Sequence, residues 1–320
     1  MTSLCYLGID LGGTKISAAI FDKSGAMLHR EQILRHEKEG KDVGNLITLL
    51  CHSVCANAKI TEKDITAIGV CVPGIAYSTT GNVWAPNIPG WDNYPLKSEL
   101  SESFPGTIIT IESDRTCYIV GEEKMGNAKG CRNAIFIAVG TGIGAGILID
   151  GIVLHGTSDI VGAIGWMALK PPYTEKWDAC GCFETHASGD GIAKEAIELL
   201  KSDHEYNSVL RGYPIDKITS YEVFEAFEKN DPVAVKVIDQ AIEMWGMAAA
   251  NLVSIFNPEL IIFGGGVFGP AIPLIDKIYD QAKKWAQPIS IKQVKFLPTA
   301  LPKDAGLYGA GALAIRAGNV

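Results

Sequence analysis

The chain has 320 residues, 47% of them apolar and 20% charged. That is room for two domains with their own cores, and the balance excludes a disordered chain. With 28 basic against 36 acidic residues (net charge -8) and no long Lys/Arg run, nucleic acid is excluded as the main partner, because a phosphate backbone demands a clustered basic surface.

The N-terminus reads as strand, turn, strand. SLCYLGID is apolar and runs into GGT, and KISAAIFD continues as an extended segment. DKSG is a turn signal, and MLHREQIL can form a third strand. VGNLITLLCHSVCANAKI has helical spacing, strand ITAIGVCV (65–72) stops at Pro73-Gly74, and strand TIITIES (107–113) leads into the helical DRTCYIVGEEKMG. The opening pattern then returns: NAIFIAVG, TGIGAG and ILIDGIVLHG are again strand, glycine-rich turn and strand, offset by about 130 residues, so each half of the chain starts with the same hairpin. Helices dominate 185–256. Strand ELIIFGGG, a helix near 270–286, strand IKQVKFLP and a closing helix of small residues, DAGLYGAGALAIRAG, complete an α/β chain with an internal duplication.

No targeting segment is visible, since the first apolar stretch, LCYLGI, stops at Asp10. The longest uncharged stretches, 133–149 and 260–275, fall short of the roughly 20 residues a bilayer needs, so no membrane is expected as partner. Eight cysteines without a secretion signal read as reduced thiols in a cytoplasmic protein.

Three glycine-rich turns each follow an apolar strand: LGGTK at 11–15, GTGIGAG at 140–146 and GGGVFGP at 264–270. Glycines can simply mark tight turns. They also let backbone N–H groups face an anion with no side chain in the way. GIDLGGTK misses the Walker pattern, because Thr precedes Lys and a strand follows. GTGIGAG misses the dinucleotide fingerprint for the same second reason. Both loops read as hairpin tips.

On these residues the resemblance becomes specific. GIDLGGTKISAAIFD is similar to the first phosphate motif of the actin, hexokinase and heat-shock chaperone superfamily. VGTGIGAGILIDGIVLHG and LIIFGGGVF resemble the second phosphate motif and the adenosine motif of its ROK branch, the repressors and sugar kinases. APNIPGW, SGDGIA and DAGLYGAGALA are similar to further ROK segments, in family order from residue 8 to 314. The resemblance implies two ribonuclease H-like α/β domains facing across an interdomain cleft, the actin-like ATPase and sugar kinase fold. The smaller would span 1–115 plus 304–320, with the first hairpin, and the larger 116–303, with the second.

It also implies transfer of the ATP γ-phosphoryl to a sugar hydroxyl, with Mg²⁺ and an aspartate base. The acceptor would be the 6-hydroxyl of a hexose, as in glucokinases, or an N-acylhexosamine. Asp114, in IESDRT, takes the place of the base, with Ser113 where Asn is usual. By position alone Asp114 could equally cap the helix that follows. Asp10 would hold Mg²⁺ through water. Gly12, Gly13, Thr14, Gly140, Thr141 and Gly142 would meet the β- and γ-phosphates, and Gly264, Gly265 and Gly266 the α-phosphate and ribose. Lys15 could neutralise phosphate or point from its strand to solvent. Asn87, Ser113, Asp114, Trp166 and Glu184 would line the sugar site. A homodimer is implied by the resemblance alone.

DACGCFETHASG (178–189) departs from the family. ROK kinases carry C-x-C-G-x-x-G-C-x-E, whose cysteines join the His of E-I-G-H around structural zinc. Here the last Cys is Cys182 and the Glu is Glu184, but Glu175 and Trp177 stand at the other cysteine positions, and Ala163-Ile164-Gly165-Trp166 replaces E-I-G-H. A tetrahedral zinc site wants four N/S ligands. Cys180 and His186 could join Cys182 in a C-x-C-x₃-H cluster with no evident fourth ligand, so no structural zinc is expected. Packing of Trp166, Trp177 and Phe183 would replace the clamp.

Two other classes stay open. A ROK transcription factor needs an added N-terminal winged helix, for which a first motif at residue 8 leaves no space. A non-catalytic sugar or nucleotide sensor is motivated by the altered sugar segment and opposed by Asp10, Asp114 and GTG.

Overall fold

The computed structural model describes residues 4–202 and 207–319. Ser3, the first residue of the expected opening strand, lies outside them. Two compact units emerge: the described parts of Met1–Cys131, Val153–Val161 and Ala300–Val320 form the first, and those of Arg132–Ile152 and Gly162–Thr299 the second.

In the first unit, strands β1 (Cys5–Leu11), β2 (Lys15–Phe21) and β3 (Met27–Leu34) precede helix α1 (Gly40–Asn57). Then come β4 (Ile65–Val72), the short ribbon β5 (Ile75–Ala76) and β6 (Val83–Trp84), α2 (Leu96–Ser103), β7 (Ile108–Ser113) and α3 (Asp114–Met125). The sheet order is β3-β2-β1-β4-β7, with β1 antiparallel to β2 and parallel to β4. In the second unit, β8 (Ala134–Val139), β9 (Ile143–Ile149) and β10 (Ile152–Val153, where the second unit's first stretch ends at Ile152) are followed by helices α4 (Cys182–Ala187), α5 (Gly189–Ser202), α6 (Ser220–Glu228) and α7 (Pro232–Phe256). β11 (Leu260–Gly264), α8 (Ile275–Ala282), α9 (Ser290–Gln293) and β12 (Lys295–Pro298) complete it. Its sheet, β10-β9-β8-β11-β12, repeats the order of the first, and this is the duplication read in the sequence.

The last helix, α10 (Ala305–Gly318), returns to the first unit. Its small residues serve close approach. A Cβ on Gly309 would overlap the carbonyl of Cys117 in α3, and one on Gly69 of β4 would overlap that of Ala310. This packing keeps α3 with the first unit, so the limits fall at 131/132 and 299/300 instead of 115/116 and 303/304. Residues 153–161 also belong there: His155 Nε2 lies 2.9 Å from Glu112 Oε1, and Asp159 Oδ2 accepts the N–H of Ser78 at 3.0 Å. The expected strand IKQVKFLP is shorter, because Ile291 to Gln293 close a helical turn and only Lys295–Pro298 pairs with β11. Among the described residues, no helix is long and apolar enough to cross a membrane.

Candidate active site

Carboxylates collect at the strand ends of the first unit. Parallel register sets Asp10 beside Cys71 and Cys71 beside Glu112, and β7 then turns into α3 at Asp114. Ser113 is the cap of α3. Its Oγ accepts the N–H of Thr116 at 3.4 Å and donates to Thr116 Oγ1 at 3.2 Å. The hydroxyl expected to meet sugar is therefore engaged by the helix, and Asp114 is released from capping. Asp114 Oδ1 accepts the backbone N–H of Arg115 at 2.8 Å.

Burial raises the Asp114 carboxyl above its ordinary value, against the pull of the Arg115 charge. Burial lifts Asp10 to about 6. The Cys71 thiol, bonded to it, opposes the rise, while the charges of Asp114 and Asp304 add to it. Desolvated and repelled by like charges, Asp10 is a carboxylate that a nearby cation would stabilise.

The β1–β2 tip closes with the Gly12 N–H donating to the Lys15 carbonyl at 2.9 Å. Gly13, Thr14 and Lys15 are exposed. Arg35 holds the tip through its Nε, 2.8 Å from the Gly13 carbonyl. Asn87 reaches the same tip, its Nδ2 3.8 Å from where a Cβ of Gly13 would stand. Its loop is anchored by buried Trp91, stacked on Tyr94 at 4.2 Å and donating to the Gly40 carbonyl.

In the second unit, the β8–β9 tip closes through the Gly140 N–H and the Gly142 carbonyl at 2.9 Å, and the Gly189 N–H at the start of α5 donates to the Gly140 carbonyl at 2.7 Å. Glu184 of α4 supports this tip from behind: its Oε2 accepts the Ile143 N–H at 2.6 Å. Burial raises its carboxyl, partly countered by that hydrogen bond. Trp166, expected at the sugar site, is 57% exposed and takes no part in the packing assigned to it, whereas Trp177 and Phe183 are buried.

Beside the tip opens a cavity of about 630 Å³, lined among others by Gly140, Thr141, Asp190, Lys194, Tyr221 and Gly266. Its volume suits a nucleotide-sized ligand. Of the three glycines after β11, Gly266 lines it. Gly264 instead makes room for the ring of Phe136, and Gly265, at φ +90°, for the Val139 carbonyl. Asp190 and Lys194 of α5 and Tyr221 of α6 escaped the sequence reading. They lie on ordinary amphipathic helices, and only folding brings them to the glycine tips.

The altered zinc segment is held by polar contacts as well as packing. Trp177 Nε1 donates to His186 Nε2 at 3.2 Å, so Nδ1 carries the proton and meets Glu195 Oε1 at 2.8 Å. Lys176 Nζ lies 3.4 Å from the same oxygen. Cys180 Sγ instead pairs with Thr185 Oγ1. Among the described residues, no group of three or more His, Cys, Asp and Glu side chains is placed to hold a metal ion.

The model of the ROK family matches residues 6–317. The chain belongs to the ROK family. The glucokinase of Halalkalibacterium halodurans is 32% identical, covering 97% of this chain and 95% of its own. Among solved ROK structures, the hexokinase of Thermus thermophilus superposes with a TM-score of 0.79 at 27% identity, covering 97% of each chain. The Streptomyces griseus glucokinase, in complex with glucose and AMPPNP, gives a TM-score of 0.77 at 28% identity over 98% of this chain and 99% of its own. The α/β fold with two sheet-containing domains is that of these ROK sugar kinases.

Proposed function

We propose that this chain is an ATP-dependent sugar kinase that moves the γ-phosphoryl of ATP to a hexose or N-acylhexosamine hydroxyl, the 6-hydroxyl by its likeness to glucokinases. The observation that carries the reading is the division of labour at the start of α3. Ser113 caps the helix, which leaves the Asp114 carboxylate to act on a ligand. Phosphoryl transfer asks mainly for positioning and charge neutralisation. Asp114 orients the acceptor hydroxyl and takes its proton as the new P–O bond forms, and its raised pKa makes it a better base than an exposed aspartate.

The tips at Gly12, Gly13, Thr14, Gly140, Thr141 and Gly142, with Gly13, Thr14 and Thr141 exposed, are the phosphate contacts in this reading, and the cavity beside Gly266 receives the nucleoside. Asp10 would hold Mg²⁺ through its water shell, and Mg²⁺, when bound, neutralises phosphate charge. Asn87 and Glu184 supply hydrogen bonds for the sugar, and Trp166 offers an exposed aromatic face that can stack on a pyranose ring.

The test is ADP release across a panel of hexoses and N-acylhexosamines, for the wild type and Asp114→Asn. Turnover with at least one sugar, cut by about 100-fold or more in the variant, with ATP binding and melting unchanged, is expected. Near-wild-type turnover in Asp114→Asn removes the base. ATP binding without turnover on any sugar favours the non-catalytic sensor.

A further inference from the structure

Among the described residues, the buried side-chain nitrogens and oxygens that lack a hydrogen-bond partner are Nε and Nη2 of Arg115. Such orphans are rare in folded proteins, and each calls for a reason. This one is costly in two ways. Nε and Nη2 are withdrawn from water, and burial lowers the guanidinium pKa against the opposing charge of Asp114. It also sits in the first turn of α3, where the helix dipole favours anions and disfavours cations. Asp114 does not relieve it by hydrogen bonding, because Asp114 Oδ1 bonds the backbone N–H of Arg115.

The geometry of the orphans says what they want. Nε and Nη2 form one edge of the planar guanidinium, two parallel donors whose spacing matches two oxygens of a phosphoryl or carboxylate group. The edge belongs to the residue next to Asp114, the base of the proposed reaction. We propose that this edge of Arg115 is the receptor for an oxyanion of the reacting pair, either the phosphoryl group in transit or an acidic substituent on the acceptor sugar. The role in turnover rests on the kinase reading, but the receptor itself does not. An arginine edge left unpaired in the free protein gains hydrogen bonds when an anion reaches it.

The experiment compares the full-length wild type with Arg115→Met and Arg115→Lys. Melting of the ligand-free proteins and its shift with inorganic phosphate are measured first. Turnover is then measured with the best neutral hexose of the panel and with a uronic acid. Arg115→Met is expected to melt about 2 °C or more above the wild type, since an unpaired buried cation has been removed, and to lose part of the phosphate-induced shift. Its kcat/KM is expected to fall about 100-fold, with only partial recovery in Arg115→Lys, which restores charge without the fork. A fall with the neutral hexose identifies the oxyanion as the transferred phosphoryl. A fall confined to the uronic acid places it on the sugar.

A variant that melts below the wild type and keeps the full phosphate response would make Arg115 a structural residue and overturn the inference. If the wild type turns over no sugar while Arg115→Met still gains stability and loses phosphate response, the kinase reading fails and the receptor stands.

Discussion

Glu184 Oε2 accepts the backbone N–H of Ile143 at 2.6 Å, so the acid expected to touch sugar also fixes the second glycine tip. The two jobs are coupled through the tip itself: Cβ atoms placed on Gly142 and Gly165 would each stand 2.8 Å from the same oxygen. Glu184→Ala is expected to raise KM for ATP as well as for sugar, and to lower kcat/KM about 10- to 100-fold, the worth of one charge-assisted hydrogen bond. Separate KM measurements decide it. An unchanged ATP KM would confine Glu184 to the sugar.

The glycines after β11 separate packing from binding. Gly264→Ala drives a methyl into the Phe136 ring and is expected to cost about 1–3 kcal/mol in urea unfolding. Gly266→Val meets little beyond the Tyr221 hydroxyl, 3.9 Å from the Cβ position, and lines the cavity. It is expected to weaken ATP binding by about 10-fold or more with stability nearly unchanged. Equal behaviour of the two variants in both assays would refute this assignment.

The His155–Glu112 pair makes the stability of the first unit depend on pH. The hydrogen bond to Glu112 raises the His155 pKa above its ordinary 6.5, burial opposes this, and the Glu112 and Asp159 charges add to the rise. Folding therefore favours the protonated ring. The contribution is fully present below the unfolded value of about 6.5 and is lost as pH climbs through the higher folded value. The gap in melting temperature between wild type and His155→Gln is expected to be larger at about pH 6 than at about pH 9. A gap that widens with pH contradicts the pairing.

Trp177, His186 and Glu195 form a hydrogen-bonded bridge in the segment that departs from the zinc motif. His186 is 2% exposed, so His186→Ala leaves the Trp177 N–H without its partner and takes one of two partners from Glu195, which keeps Lys176. The expected loss is about 2–3 kcal/mol, against about 1 kcal/mol for Trp177→Phe, which removes one neutral hydrogen bond. Dialysis against a chelator is expected to leave the melting temperature of the ligand-free wild type unchanged. A fall on chelation would show that a metal holds this segment.

What the sequence determined by itself is local. The two hairpins, their glycine tips and the repeat of strand order are written in short runs, because strand apolarity and glycine turns depend on neighbours in the chain. The same locality misread 291–293, where Ile-Lys-Gln before Val294 is as compatible with one helical turn as with a strand. Tertiary structure alone decided which groups are satisfied and which are left waiting. Asp114 is a plausible cap by position until the bond from Thr116 gives that role to Ser113. Gly264 and Gly266 look alike until Phe136 and the cavity tell them apart. Arg115 reads as an ordinary helical arginine until packing buries its Nε and Nη2 and supplies them no partner. A side chain's hydrogen bonds and burial are set by segments far away in the chain, and these become neighbours only when the core closes.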